Sequence, residues 1–184
     1  MTHTNSLVAL IGAAAFAVIL VYDQHRRSDL HWWRDPISAY LAGPDGHLMA
    51  LGFFAVSAAL LAIANTAPPV AAALLIAGAF GTSIAAITRA FARDRTLHLI
   101  GARLAYGCAG LGMLLDSSGI ARIFFGAGLV VAAAIAWYEG HAADLLASAE
   151  SRDLSLPTAW IERTVLLVYL VWVGIWAVTR MGVA

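Results

Sequence analysis

Six apolar stretches, each about as long as a membrane-crossing helix, constrain this chain more than any other feature. A helix rises about 1.5 Å per residue, so about 17 to 25 apolar residues cross the roughly 30 Å of hydrocarbon in a bilayer. The six apolar stretches predict an all-α integral membrane protein, a six-transmembrane-helix bundle that forms a single domain over residues 1–184. The predicted spans are residues 6–22, 47–64, 70–88, 97–115, 120–138 and 164–179.

The composition argues against a water-soluble protein. Of the 184 residues, 61% are hydrophobic and only 12% are charged, which is too few charges to cover a soluble surface. The 11 basic residues are balanced by 11 acidic residues, so the chain has no excess positive charge with which to bind nucleic acid. The expected partner is therefore membrane lipid, with no nucleic acid.

The arginines predict the orientation of the bundle. Most of them fall in or beside the first, third and fifth connections, whereas only Arg122 and Arg180 lie on the other side. The positive-inside rule then places these three connections in the cytoplasm and both termini outside. The expected location is the inner (plasma) membrane of the cell, crossed several times.

The first connection, residues 23–47, is long and rich in polar and aromatic side chains. Asp35 followed by Pro36 is typical of a helix start, with the aspartate as N-cap and the proline at the first helical position. Gly43, with the proline after it, predicts the end of that helix. Trp32 precedes it, and indole rings favour the headgroup level of a membrane. We therefore predict a short interfacial helix between the first two spans, lying over the bundle as a lid.

Histidines and carboxylates gather on the predicted cytoplasmic face. Asp94 lies four residues before His98, so the two share one helix face if the fourth helix begins by Asp94. The candidate polar cluster at this face consists of Asp35, Ser38, Tyr40, Asp45, Asp94 and Arg103.

A divalent metal, zinc first, is an alternative use of this cluster. Its ligands would be His47, His98 and His141, with Asp35 or Asp94 completing the shell. The competing interpretation is that interfacial histidines and aspartates are caps or solvated groups, and their spacing does not decide between the two. Haem is not expected, because no histidine lies in the middle of a span. No resident cofactor is predicted otherwise.

Arg103 lies about a turn and a half inside the fourth span. Ionisable groups at such depth are candidate functional groups. The alternative is that its long side chain reaches back to the interface. Asp116, at the other end of the same span, is interpreted as an interfacial cap.

Small residues recur four positions apart within the spans, a spacing that permits close contact between helix backbones. Packing within the chain is the favoured interpretation, and a protein partner or a homo-oligomer is the alternative. The rows are Ala77, Gly81 and Ala85, then Gly128, Ala132 and Ala136, then Cys108 and Gly112.

Residues 35–46 read DPISAYLAGPDG and resemble a bacterial family, the domain of unknown function 998. Its members carry a similar Ile-Ser-x-Tyr and Gly-Pro-x-Gly element before the second span. A second similarity lies at Phe91, Asp94, His98 and Gly101, where the family tends to have an aspartate before a histidine that opens the fourth helix. The resemblance implies the same six-span layout but no mechanism. It singles out Asp35, Ser38, Tyr40, Gly43, Gly46, Asp94 and His98.

These observations predict a non-catalytic membrane protein, acting as an accessory subunit or binding lipid or another small amphiphile. Its polar Asp/His site would lie at the cytoplasmic face. The alternative is a metal-dependent membrane hydrolase that uses the Asp/His cluster to activate water.

Overall fold

The computed structural model describes residues 2–32, 35–43, 46–88, 94–117, 122, 126, 130 and 155–182. Within these residues the chain is helical, with no strand. Helix α1 spans Thr2–Arg26 and a short 3-10 helix spans Ile37–Leu41. The remaining helices are α2 (Gly46–Ala64), α3 (Pro69–Ile87), α4 (Arg95–Asp116) and α5 (Ser155–Met181).

Five helices in the described part of the chain are long and apolar enough to cross a membrane, consistent with a multi-pass membrane protein. Five of the predicted spans fall on these helices. The sixth predicted span, residues 120–138, lies outside the described residues except at three isolated positions. The candidate spans are His3–Arg26, Gly46–Ala64, Pro69–Ile87, Thr96–Asp116 and Glu162–Met181.

Helix α1 continues four residues past the predicted span end at residue 22. The apolar run stops there, but the helix does not, because His25 and Arg26 in its last turn interact favourably with the helix dipole. Asp23, in this extension, is only 1% exposed. The apolar run therefore marks the membrane-crossing part of α1 rather than the end of the helix.

The predicted helix after Asp35 is present in a shorter form, and the predicted cap is wrong. The 3-10 helix has Pro36 at its N-cap position, with no side-chain cap. The Asp35 carboxylate instead accepts the backbone N–H of His31 at 2.6 Å, while the Asp35 N–H donates to the His31 carbonyl at 2.8 Å. This reciprocal pair closes the turn before the helix. The Asp35 carboxylate therefore binds a residue that precedes it and does not cap the helix that follows.

We call residues 35–43 the lid. Ile37, Tyr40 and Leu41 are buried in one apolar cluster with residues of α1 and α2. At the far end, Gly43 has a φ of 114°, a conformation that favours glycine. The Arg27 side chain reaches this end and donates to the Ala42 carbonyl at 3.0 Å. The lid is therefore packed into the bundle by its apolar face and tied back to the end of α1.

Helices α3 and α4 form the tightest pair in the described bundle, and small residues make this possible. A Cβ on Gly81 would lie 2.5 Å from the Ala105 nitrogen, and a Cβ on Gly101 would lie 2.6 Å from the Ala85 nitrogen. A Cβ on Gly112 would lie 2.8 Å from Leu75. The predicted packing within the chain is confirmed for these two rows. The third row, Gly128, Ala132 and Ala136, lies outside the described residues.

Helices α4 and α5 run in the same direction. Near their first residues, His98 and Glu162 line the same cavity. Further along, the Tyr169 hydroxyl donates to the Tyr106 carbonyl. At the far end, the Trp176 indole donates to the carboxylate of Asp116, the last residue of α4, at 2.8 Å. Residue numbers thus rise together along the two helices.

Candidate functional site

A cavity of about 40 Å³ lies between the lid and the helices. Phe16, Phe53, Leu60 and Leu166 are among the residues that make its wall mostly apolar. Such walls with a few polar groups are typical of sites for small organic molecules. The polar residues that line it, within the described part of the chain, are Ser38, Thr82, His98, Tyr106, Glu162 and Tyr169.

Glu162 of α5 holds the beginning of the lid helix. The Ser38 backbone N–H points to Glu162 Oε2 at 3.4 Å, and the Ser38 hydroxyl points to Oε1 at 3.5 Å. Glu162 thus takes the place of the missing N-cap from 124 residues away. Both distances exceed those of ordinary hydrogen bonds, so this contact is weak.

Arg163, the next residue of α5, contacts the lid on the other side of Pro36. Its Nη2 donates to the Asp35 carbonyl at 2.9 Å. Its Nε is buried and has no hydrogen-bond partner in the described structure. The same holds for the hydroxyl of Tyr40, a side chain with 0% exposure. Burial raises the pKa of Tyr40, and the nearby Arg163 guanidinium partly offsets this.

His98 is buried at the start of α4 and joins α4 to α3. Its Nδ1 lies 2.9 Å from the Ala85 carbonyl oxygen. A carbonyl can only accept a hydrogen bond, so Nδ1 carries a proton in this contact. The imidazole therefore has a structural role on one side and lines the cavity with the rest of its ring.

Asp94 is the N-cap of α4. Its Oδ1 accepts the Leu97 backbone N–H at 3.0 Å, and the residue is exposed. The predicted proximity of Asp94 and His98 along α4 holds, but their side chains bind different partners. Asp94 therefore acts as a cap, which was one of the two interpretations of the interfacial aspartates.

Two further predicted site residues, within the described part of the chain, do not line the cavity. Arg103 is exposed on α4, and His47 is exposed in the first turn of α2. Asp45 and His141 lie outside the described residues. Of the predicted cluster, Ser38 lines the cavity together with His98 of the predicted metal ligands, and Asp35 and Tyr40 lie with Ser38 on the lid.

Glu162 and Arg163, which hold the lid, were not predicted as site residues. Arg163 contributed only to the predicted orientation of the bundle, as one of the arginines in or beside the fifth connection. The available signal was an acidic and a basic residue side by side just before the last span, at the level of the lid if both lie at the same interface. The hydropathy of the sequence alone does not indicate which residues such a pair contacts.

A second polar network lies at the opposite end of α4 and α5. Asp116 does not act as an interfacial cap, because it accepts the Trp176 indole N–H. The Trp172 indole donates to the Ser117 hydroxyl at 2.8 Å, and this hydroxyl donates to the Met113 carbonyl at 2.6 Å. We call this network, with Arg180 placed 3.8 Å from the Asp116 carboxylate, the clasp.

His98 and Glu162 are the metal-ligating residue types on the described cavity wall. Across the described residues, histidine, cysteine, aspartate and glutamate side chains form no group of three or more that could hold a metal ion. Structural zinc sites have four ligands and catalytic ones usually three from the protein. The described cavity wall therefore supplies two residues of the usual metal-ligating types.

Comparison of the chain with models of known protein families, with curated proteins and with solved structures finds no match. What the molecule does must be inferred from the chemistry of the cavity and the lid.

Proposed function

We propose that this protein is a non-catalytic inner-membrane protein that binds a lipid or another small amphiphile beneath the lid, at the cytoplasmic face. The observation that carries the proposal is the cavity. Its apolar wall suits a hydrocarbon chain, and Ser38, His98 and Glu162 offer hydrogen-bonding groups to a polar end.

The size of the cavity requires the lid to move when a ligand binds. About 40 Å³ admits water-sized molecules but not an amphiphile. Two features support movement of the lid. The contacts between Ser38 and Glu162 are long, and Ile37 and Leu41 can exchange their apolar neighbours for lipid chains, which are equally apolar.

The six-span layout, with both termini outside, is part of the same proposal. The parallel course of α4 and α5 supports it, because a chain that leaves the end of one spanning helix must cross back before it enters a parallel one. Membership of the domain of unknown function 998 family is also retained as a proposal. It is supported by the position of Asp35, Ser38 and Tyr40, which match the family pattern, on the lid.

Lipid analysis of the purified full chain tests the proposed function. We expect an amphiphile to co-purify from detergent in a fixed ratio to protein, and the ratio to fall at least fivefold in Ala102→Leu, which adds three carbon atoms to the cavity wall. The matched control is Ala73→Leu on an exposed face of α3, which should keep the ratio. Equal amphiphile content in both variants and the natural chain would overturn the proposal.

A metal-dependent membrane hydrolase is the second candidate. The specific observation in its favour is the His98 Nδ1 contact with the Ala85 carbonyl, because metal-binding histidines usually donate their other ring N–H in this way. Metal analysis of the detergent-purified protein tests it. Stoichiometric zinc or iron in the natural chain that is lost in His98→Ala would support the hydrolase, whereas a natural chain that purifies without bound metal would refute it.

A further inference from the structure

Arg163 is a partly buried cation whose charge is not matched within the described structure. It has no carboxylate at ion-pair distance there; its one hydrogen bond goes to the neutral Asp35 carbonyl. Its Nε–H is buried without an acceptor. Removing a charged donor from water without a partner is costly, so a group in this situation calls for a partner beyond those that the described residues supply.

Tyr40 supplies a second donor beside the first. Its side chain is fully buried, and its hydroxyl has no partner in the described part of the chain. Burial raises the pKa of Tyr40, whereas the charge of Arg163 and a hydrogen-bonding contact with its side chain lower it, so the two groups are close together. Neither the Tyr40 hydroxyl nor Arg163 Nε has a partner at ordinary hydrogen-bond geometry. Two buried donors, one of them charged, therefore converge at the inner edge of the lid.

The carboxylates around Arg163 are engaged elsewhere. Asp29 binds Arg27 through two hydrogen bonds of 2.8 Å. Asp35 accepts the His31 N–H, and Glu162 faces Ser38. None of these contacts engages the Arg163 side chain, so its buried Nε–H remains available to an external acceptor.

The position of Arg163 along α5 indicates the depth of this anion. The last apolar run of the sequence is residues 164–179, so Arg163 directly precedes it, within a helix that begins at Ser155. That is the level of lipid headgroups, where phosphate oxygens are concentrated. Arginine is also the residue best suited to bind phosphate oxygens.

We propose that the Arg163 Nε–H and the Tyr40 hydroxyl together bind a phosphate oxygen, with the rest of the ligand directed to the cavity. The inference rests on the proposed function and names the polar end of its ligand. The phosphate belongs either to a lipid headgroup or to free phosphate, and both present the same anionic oxygens to the two donors.

Thermal unfolding of the full chain in a neutral detergent tests the inference. Dioctanoyl phosphatidic acid, dioctanoylglycerol and inorganic phosphate are titrated separately, and dissociation constants are obtained from the rise in Tm. We expect phosphatidic acid to bind saturably. Its dissociation constant should rise at least about tenfold in Arg163→Gln and about fivefold in Tyr40→Phe. Arg180→Gln, which removes an arginine at the other end of α5, is the matched control and should leave it unchanged.

Each outcome is decisive. Binding of inorganic phosphate that Arg163→Gln weakens supports the site with free phosphate as its ligand, and binding of phosphatidic acid alone supports a headgroup. Equal binding of dioctanoylglycerol and phosphatidic acid, unaffected by Arg163→Gln, overturns the phosphate site but leaves amphiphile binding intact. No binding of any probe overturns both. If Arg163→Gln gives no cooperative unfolding, an unchanged dissociation constant in Tyr40→Phe overturns the phosphate site.

Discussion

Polar networks lie towards the two ends of helix α5, and they differ in how well their hydrogen-bonding groups are matched with partners. In the clasp, the Trp172 and Trp176 indoles donate to Ser117 and Asp116 over 2.8 Å. At the lid, Glu162 and Ser38 are 3.4 to 3.5 Å apart, and two buried donors have no partner in the described structure. A network whose groups are satisfied stabilises a fold, whereas one with unmatched donors has room for a ligand. We therefore assign the clasp to stability, whereas binding at the lid is the proposal that the following experiments test.

Replacing Trp172 with alanine should have the largest effect on stability. Its side chain is 3% exposed, so the change leaves a void and removes the partner of Ser117. We expect a loss of about 3 to 5 kcal/mol in the free energy of unfolding, measured by reversible unfolding of the detergent-solubilised protein in SDS. Trp32→Ala, at a position 45% exposed, is the control and should change it by less than about 0.5 kcal/mol. Similar losses in both variants would remove the distinction between the clasp and the lid region.

Asp116→Ala should have the next largest effect. The variant leaves the buried Trp176 N–H without an acceptor and should cost about 1 to 3 kcal/mol in the same unfolding measurement. Asp116→Asn keeps an acceptor oxygen in place and should lose less than half as much. Equal losses would show that the attraction to Arg180, rather than the indole hydrogen bond, holds the clasp together.

Glu162→Gln should alter the lid with little effect on overall stability. Because its contacts with Ser38 are long, we expect the free energy of unfolding to change by less than about 1 kcal/mol. Backbone amides of residues 35–43 should exchange hydrogen for deuterium faster, as measured by mass spectrometry, while those around Trp172 should not change. Unchanged exchange in the lid would mean that apolar packing of Ile37 and Leu41 alone holds it closed.

The pH dependence of stability should show the smallest effect, through Tyr40. Burial raises the pKa of its hydroxyl above the ordinary value of 10.0, so the folded state favours the neutral phenol. The resulting stability is complete below the pKa of the unfolded chain and is lost as the pH rises through the folded pKa. Between about pH 9 and about pH 11, the natural chain should therefore lose more unfolding free energy than Tyr40→Phe. Parallel losses would place the Tyr40 hydroxyl in contact with water.

The helices were predictable because membrane-crossing segments are specified locally. Each apolar run is long enough to bury its own backbone hydrogen bonds, so the predicted spans at residues 47–64 and 70–88 differ from α2 and α3 by one residue at their ends. The small residues Gly81 and Gly112 indicated helix packing for the same reason, since their spacing along one helix is itself the signal.

The candidate site was only half predictable because its contacts join distant parts of the chain. Local patterns pointed to Ser38 and Tyr40 on the lid, but nothing near Glu162 or Arg163 indicates that they bind residues 35 and 38. The Asp35 cap failed for a related reason. The pattern of aspartate before proline describes a helix start, yet a tighter turn with His31 competed for the same carboxylate. The prediction for Asp116 was wrong because its indole partner lies 60 residues away, and the residues next to Asp116 in the sequence do not indicate that contact.

The long separation between the lid and α5 also sets an order of events during synthesis. Ser38 and Asp35 precede their partners by 124 and 128 residues. At about 5 to 20 residues per second, the ribosome needs roughly 6 to 25 seconds to add that much chain. Helices α1 to α4 are therefore made, and their hairpins able to form, before the residues that fasten the lid exist. The proposed binding site is complete only once α5 has been made, so amphiphile binding would report that the described bundle has been assembled through to α5.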